Sequence, residues 1–263
     1  MMKIGATQLA LRDMTLDQIL VLCKEAGYEA IELAFAEDRE LNVNMSDAEL
    51  DDVAARCRDA NVEITSVFHS MPGSLLSLDA AERATCCRVL ERVLEVGSRL
   101  EAGAMLVNPG ALGPEGTYDE VWDTFRDTLR ELAPRADALE MAIGLENVWN
   151  KFIISPREAV QFVDEVGSAR VGIYLDLANM MAYGYPEHWI RALGSRIVRV
   201  HLKEFDRGQH AFVNLLEGDN DWPVLMSELR AAGYDNSILH ECGGDYAAMV
   251  DLGERMRRIR SMG

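Results

Sequence analysis

Four residues that can bind a metal or transfer a proton lie at the ends of short apolar runs in the second half of the sequence. They are Glu146, Asp176, His201 and Glu241. An apolar run that ends abruptly in such a residue is typical of a buried parallel strand whose carboxyl end opens into a site. Neighbouring strands lie about 4.8 Å apart, so side chains from successive strand ends can reach one ion. The pattern therefore predicts a shared divalent-metal site.

The predicted ligands are three carboxylates and one imidazole, a hard and oxygen-rich set. This set favours Mn²⁺, with Mg²⁺, Co²⁺ and Zn²⁺ as alternatives, and it does not resemble a cysteine-type zinc site. Any one of the four residues alone could be a helix cap or a hydrogen-bonded core residue. Four of them at corresponding places on consecutive predicted strands favour the shared site.

The elements that must position these residues alternate along the whole chain. Strand-like runs and helical patterns follow one another from Lys3 onward and give eight βα units, with a long loop predicted over residues 204–221. A doubly wound open sheet is the structural alternative, but no Gly-x-Gly-x-x-Gly follows the first strand. The 263 residues are a usual length for one barrel. We therefore predict a single (β/α)8 TIM barrel domain over residues 1–263.

Strand alternation predicts which neighbours share the face of His201. Side chains two residues apart point the same way, so Arg199 and Lys203 should lie on that face. We expect Arg199 to contact a carboxylate, because a charge on a barrel strand needs a partner. Glu32 and Lys203 could form a pair near the rim.

Composition and charge limit the class of partner. The formal net charge is −18, from 26 basic and 44 acidic residues, and such a surface repels nucleic-acid phosphates and anionic lipid. No apolar run approaches the roughly 20 residues of a membrane span. The five cysteines are scattered, which favours reduced thiols, and the first residues do not resemble a signal peptide. We therefore predict a cytoplasmic protein that acts on a small molecule, binds neither nucleic acid nor membrane, and could form a homo-oligomer.

Several motifs together resemble the xylose isomerase-like barrels, in the sugar (phosphate) isomerase and epimerase group that includes the ketose 3-epimerases. The similar stretches span nearly the whole chain and are Gly-Leu-Glu146-Asn147, Tyr-Leu-Asp176-Leu-Ala-Asn179, Val-His201-Leu-Lys203-Glu204, Gly218-Asp-Asn-Asp-Trp222 and Leu-His-Glu241. The resemblance implies that Glu146, Asp176, His201 and Glu241 are metal ligands. It also implies that Glu146 and Glu241 form the acid/base pair.

Four further residues are predicted to contact the substrate. By resemblance, Arg207 lies where the 3-epimerases hold sugar hydroxyls. Those enzymes tend to have a histidine three residues after the metal-binding aspartate, where this chain has Asn179, whose amide can hydrogen-bond a hydroxyl but cannot take a proton. His69 ends the third predicted strand and could bind a hydroxyl or anchor a loop. Trp149 follows Glu146 and could cover a sugar face.

The predicted activity is a divalent-metal-dependent isomerisation or epimerisation of a ketose or ketose phosphate. Carboxylates would transfer the proton through a metal-stabilised enediolate. An inosose-type dehydratase is the alternative on the same scaffold, because it begins with the same proton abstraction. An apurinic endonuclease is disfavoured by the acidic surface and by the few histidines at strand ends. A barrel that only binds its ligand is disfavoured by the intact set of four residues.

Overall fold

Eight parallel strands close into a barrel within residues 2–37 and 39–263, the ranges described by this computed structural model. The barrel strands pair with one another in chain order, and the last returns to pair with the first. The predicted TIM barrel is confirmed. The barrel strands are β1 (Ile4–Thr7), β2 (Ala30–Phe35), β3 (Glu63–His69), β4 (Ala104–Val107), β5 (Ala142–Glu146), β6 (Val171–Asp176), β7 (Ile197–Leu202) and β10 (Ile238–His240).

Helices surround the barrel and bury their apolar faces against it. They are α1 (Leu16–Ala26), α2 (Asp47–Asp59), α3 (Ala80–Arg99), α4 (Tyr118–Ala138), α5 (Pro156–Val166), α6 (Pro186–Leu193), α7 (Trp222–Ala231) and α8 (Tyr246–Arg260). Local sequence defines several of their ends. The side chains of Ser46 and Ser155 each accept a hydrogen bond from the backbone N–H of the glutamate three residues later. The carboxylate of that glutamate accepts in turn from the backbone N–H of the serine, which completes a capping box. Among the described residues, no helix is both long and apolar enough to cross a membrane.

The predicted long loop after β7 contains a small hairpin. Strand β8 (Glu204–Asp206) pairs antiparallel with β9 (Ala211–Val213), outside the barrel sheet. Glu204 holds this region together: its buried carboxylate accepts from the backbone N–H groups of Leu216 and Asn220 and from the Trp222 indole. The carboxylate thus replaces the strand partners that the following loop lacks.

Candidate metal centre

The structure brings Glu146, Asp176, His201 and Glu241 together at the carboxyl ends of adjacent barrel strands. Glu146 and Asp176 are the last residues of β5 and β6, His201 lies near the end of β7, and Glu241 directly follows β10. Each residue offers one ligand atom, and these atoms all lie within 4.8 Å of one another. Atoms this close can share a single ion, because metal–oxygen and metal–nitrogen bonds are about 2.0–2.6 Å long.

Asp176 is fixed by the turn that follows its strand. Its Oδ1 accepts hydrogen bonds of 2.8 Å from the backbone N–H groups of Ala178 and Asn179. Its own backbone exchanges two hydrogen bonds with the side-chain amide of Asn147, which links the ends of β5 and β6. The Asp176 side chain is completely buried. With Oδ1 occupied by the turn, Oδ2 is directed to the cluster as the remaining ligand atom.

His201 is oriented from below by a buried carboxylate. The Nε2 of His201 lies 3.2 Å from Oε1 of Glu32, and both side chains are fully buried. A carboxylate can only accept, so Nε2 carries a proton toward Glu32 and Nδ1 is the ring nitrogen that remains for an ion. The Glu32 carboxylate also accepts from the hydroxyls of Thr7 and Ser66. This arrangement is the carboxylate–histidine–metal pattern, in which the outer carboxylate fixes tautomer and ring orientation.

Three ligand atoms of the cluster are buried without a hydrogen bond to any described residue: Oδ2 of Asp176, Nδ1 of His201 and Oε2 of Glu241. Buried polar atoms are normally paired, because leaving one unpaired costs about 1–3 kcal/mol. Nζ of Lys203 lies within ion-pair distance of the two oxygens, and a cation that also binds Nδ1 of His201 would pair all three atoms at one point. A divalent cation fits this donor set.

Charges within the cluster alter its acid–base behaviour. Burial raises the pKa of Glu146, and the charges of Glu241 and Asp176 raise it further against the opposing effect of His201. Burial also raises the pKa of Glu241, but His201 and Lys203 outweigh this and lower it to about 2. The two glutamates therefore lie in unlike environments, which suits carboxylates that would take different parts in proton transfer.

Glu32→Gln is expected to weaken metal binding by about 10–100-fold, the usual cost of losing an outer-shell partner. Glutamine keeps the volume but loses the charge and one of the two acceptor oxygens, so the hydrogen bond that holds Nδ1 of His201 toward the cluster is weakened. Calorimetric titration of Mn²⁺ into metal-stripped protein measures the change. Glu91→Gln, on the exposed side of α3, is the matched control. Equal Mn²⁺ affinity in the folded Glu32 variant and the wild type would contradict this role.

A cavity of about 430 Å³ opens beside the cluster. Lys203 and Glu241 connect it to the ligand atoms, and Phe212 and Asn214, in β9 and just after it, also line it. The loop after β10 contributes Cys242. The volume is within the range of small-molecule sites, so this cavity is the candidate place for a substrate.

Trp149 lies at the rim and is 49% exposed. Its indole N–H donates to the backbone oxygen of Asn179, and its ring stacks on Phe212 at a centroid distance of 5.3 Å. Phe205 approaches it edge-on. The stack joins the loop after β5 to the hairpin, so Trp149 belongs to the aromatic border of the site.

The other three predicted substrate residues are engaged within the chain. Arg207 donates from Nη1 and Nη2 to the carbonyl oxygens of Met181 and Gly184, and the remaining N–H donors of its guanidinium are left for a substrate hydroxyl. Asn179 donates its side-chain amide to the Asn147 carbonyl. Nδ1 of His69 lies 2.6 Å from the Ser70 oxygen, while Nε2 is buried without a partner among the described residues. Of the three, His69 offers a free ring nitrogen.

Two predicted pairings are wrong. Arg199 donates to the backbone oxygen and hydroxyl of Thr65 across the barrel, and to its neighbour's carbonyl, and it forms no ion pair with any carboxylate of the described residues. Glu32 and Lys203 do not pair, because Glu32 lies below His201 while Lys203 reaches over the cluster. Arg199 and Lys203 lie on the predicted face of their strand, but their predicted partners are wrong.

Comparison with known proteins gives one family and several relatives. A family model described as xylose isomerase-like TIM barrel matches residues 20–262. An uncharacterised protein of Methanocaldococcus jannaschii is 25% identical over 187 residues, which cover 67% of this chain and 64% of the relative. A D-psicose 3-epimerase of Enterocloster bolteae is 31% identical over 117 residues, which cover 43% of this chain and 37% of the relative. The chain thus spans less than two thirds of the length of these curated relatives.

Solved structures agree with the fold. The IOLI protein, whose crystal structure was determined with a binding zinc atom, superimposes with a TM-score of 0.83 at 19% identity. The match covers 99% of this chain and 98% of that one. At this level of identity the likeness shows the barrel.

Proposed function

The chain belongs to the xylose isomerase-like TIM barrel family, and on that basis we propose that it is a single-domain, divalent-metal-dependent isomerase or epimerase of a ketose or ketose phosphate. The observation that carries the proposal is the convergence of Glu146, Asp176, His201 and Glu241, with ligand atoms within 4.8 Å of one another. The partial match to a D-psicose 3-epimerase supports a sugar substrate. Mn²⁺ is the proposed ion, because the donors are mostly hard oxygen atoms.

The proposed reaction begins with removal of the proton next to the substrate carbonyl. A divalent ion held by the four residues would act as a Lewis acid toward the negative charge that develops on the substrate oxygens. Glu146 and Glu241 come from strands on different sides of His201, so one carboxylate can remove the proton from one face while the other returns a proton to the opposite face. Return to the same carbon inverts it, and return to the neighbouring carbon gives aldose–ketose isomerisation. Carboxylate acid–base catalysis of this kind typically contributes ~10²–10⁴-fold.

Removal of the metal is expected to abolish turnover and its return to restore it. Treatment with EDTA followed by gel filtration should leave folded protein without activity, and Mn²⁺ or Co²⁺ should restore it better than Mg²⁺. The assay uses a panel of ketoses, ketose phosphates and inososes in D₂O, followed by NMR. Deuterium at the carbon next to the carbonyl identifies an epimerase or isomerase, whereas loss of water from an inosose identifies a dehydratase. Full activity after complete removal of metal would rule the proposal out.

A further inference from the structure

Lys203 lies directly over the cluster. Its ammonium Nζ is 2.7 Å from Oε2 of Glu241 and 3.1 Å from Oδ2 of Asp176. These are the same two buried oxygen atoms that have no hydrogen bond of regular geometry and that an ion would contact. The ammonium therefore partly neutralises the carboxylates through charge attraction at the place where a metal would bind. An ammonium and a divalent ion that both contacted these two oxygens would lie close to each other. Two cations so close repel strongly, so the two do not occupy the oxygens together.

The same side chain also borders the cavity. The Lys203 side chain is 17% exposed and lines the 430 Å³ space, and its Nζ lies 5.5 Å from the centroid of the Phe212 ring, which lines the same space. A cation can rest near an aromatic face. The four-carbon stem of lysine allows the ammonium to move by several ångströms through rotation about its bonds. Lys203 thus has a second position available, on the side of the cavity, when the carboxylates are occupied.

The backbone around Lys203 is held firmly, so such a movement belongs to the side chain. The Lys203 carbonyl accepts from the side-chain amide of Asn220, and the next residue, Glu204, accepts the three hydrogen bonds that anchor the following loop. On the other side, His201 is fixed by Glu32. The lysine stem therefore starts from a rigid point between the ligand atoms and the cavity.

We propose that Lys203 and the divalent ion are alternative occupants of the Asp176 and Glu241 oxygens, and that binding of the ion turns the ammonium into the cavity, where it donates to an oxygen of the sugar. In the metal-free protein Lys203 limits repulsion among the carboxylates. In the loaded protein it becomes a substrate-binding residue beside the reacting carbon. The first half concerns the metal alone, and the second half rests on the function proposed above.

The proposal predicts opposite effects of one substitution on two measurements. Lys203→Met keeps the length and removes the competing charge, so the affinity for Mn²⁺ in calorimetric titration should rise by about tenfold or more, equivalent to roughly 1.4 kcal/mol. At saturating Mn²⁺, the same variant should lose about tenfold or more in kcat/KM for the sugar. Lys203→Arg should keep wild-type metal affinity within a few-fold. Lys24→Met, on the exposed face of α1, removes an equal charge far from the site and should change neither the Mn²⁺ affinity nor kcat/KM. A structural role alone would lower both.

A crystal structure of the Mn²⁺-loaded wild type tests the movement directly. Nζ of Lys203 should lie more than about 4 Å from both carboxylate oxygens, beyond ion-pair distance, and point into the cavity. Unchanged or weaker Mn²⁺ affinity in Lys203→Met, or an ammonium still on both oxygens beside the bound ion, would overturn the competition. Tighter metal binding with unchanged kcat/KM would overturn the substrate contact. If the wild type turns over no sugar, the proposed function fails, while the affinity comparison and the loaded structure still decide the competition.

Discussion

Glu146→Gln and Glu241→Gln are each expected to lower turnover by roughly 10² or more while keeping a good share of metal affinity. An amide retains one oxygen for the ion but cannot accept the substrate proton, so the loss falls on proton transfer. Turnover is measured with saturating Mn²⁺, and metal affinity by calorimetry. Glu91→Gln serves again as the control for loss of one negative charge. Wild-type turnover in both amide variants would show that neither glutamate is catalytic.

Solvent exchange separates the two reactions that these glutamates could perform. In an epimerase with one carboxylate on each face, the variant that keeps the base facing the substrate proton should still exchange it with deuterium, although inversion is blocked. In an isomerase that relays one proton on one face, removal of the base should abolish exchange and turnover together. Proton NMR of the substrate in D₂O measures both rates in the same sample.

His201→Ala and Asp176→Asn are expected to reduce metal affinity by more than about 100-fold, because loss of an outer-shell partner alone costs about 10–100-fold. Asparagine is the sharper choice at 176, since its side-chain oxygen can still accept the two backbone hydrogen bonds of the turn while the ligand oxygen becomes an amide nitrogen. Calorimetry with Mn²⁺ measures the change, and thermal unfolding confirms that the barrel is intact.

His188→Ala, on the exposed start of α6, is the control for the histidine variant. If both His201→Ala and Asp176→Asn bound Mn²⁺ as tightly as the wild type, the ligand set would be wrong. If only one of them did, the ion would lie toward the remaining three residues.

The convergence of the four candidate ligands could be predicted because barrel geometry does most of the positioning. A buried parallel strand that ends in Glu146 or Asp176 has only one direction in which to present it, and neighbouring strands bring the next ligand within reach. The same alternation placed Lys203 on the face of His201. For these residues the period of two along each strand carries the necessary information.

Partners across the barrel could not be predicted in the same way. Glu32 and His201 are 169 residues apart, and the pairing of β2 with β3 shifts register between Ile31 and Glu32. Such a shift changes which side chains lie level with one another. Arg199 donates to a backbone oxygen of Thr65. Every residue has a backbone carbonyl, so the sequence does not indicate which one will accept. The sequence does not predict the hairpin, because each of its strands has only three residues. A strand of that length is too short to show an alternating pattern of apolar and polar residues.

The hairpin of β8 and β9 also separates the part of the site that can vary from the part that cannot. Phe212 and Asn214 form a cavity wall, yet β9 pairs only with β8 and contributes nothing to the barrel sheet of the described chain. The buried Glu204 carboxylate holds the base of this region in place whatever lies at its tip. Residues 208–212 can therefore accumulate substitutions or insertions that reshape the cavity without cost to the barrel. This gives the scaffold a route to new ligands, and directed evolution can begin at those five positions.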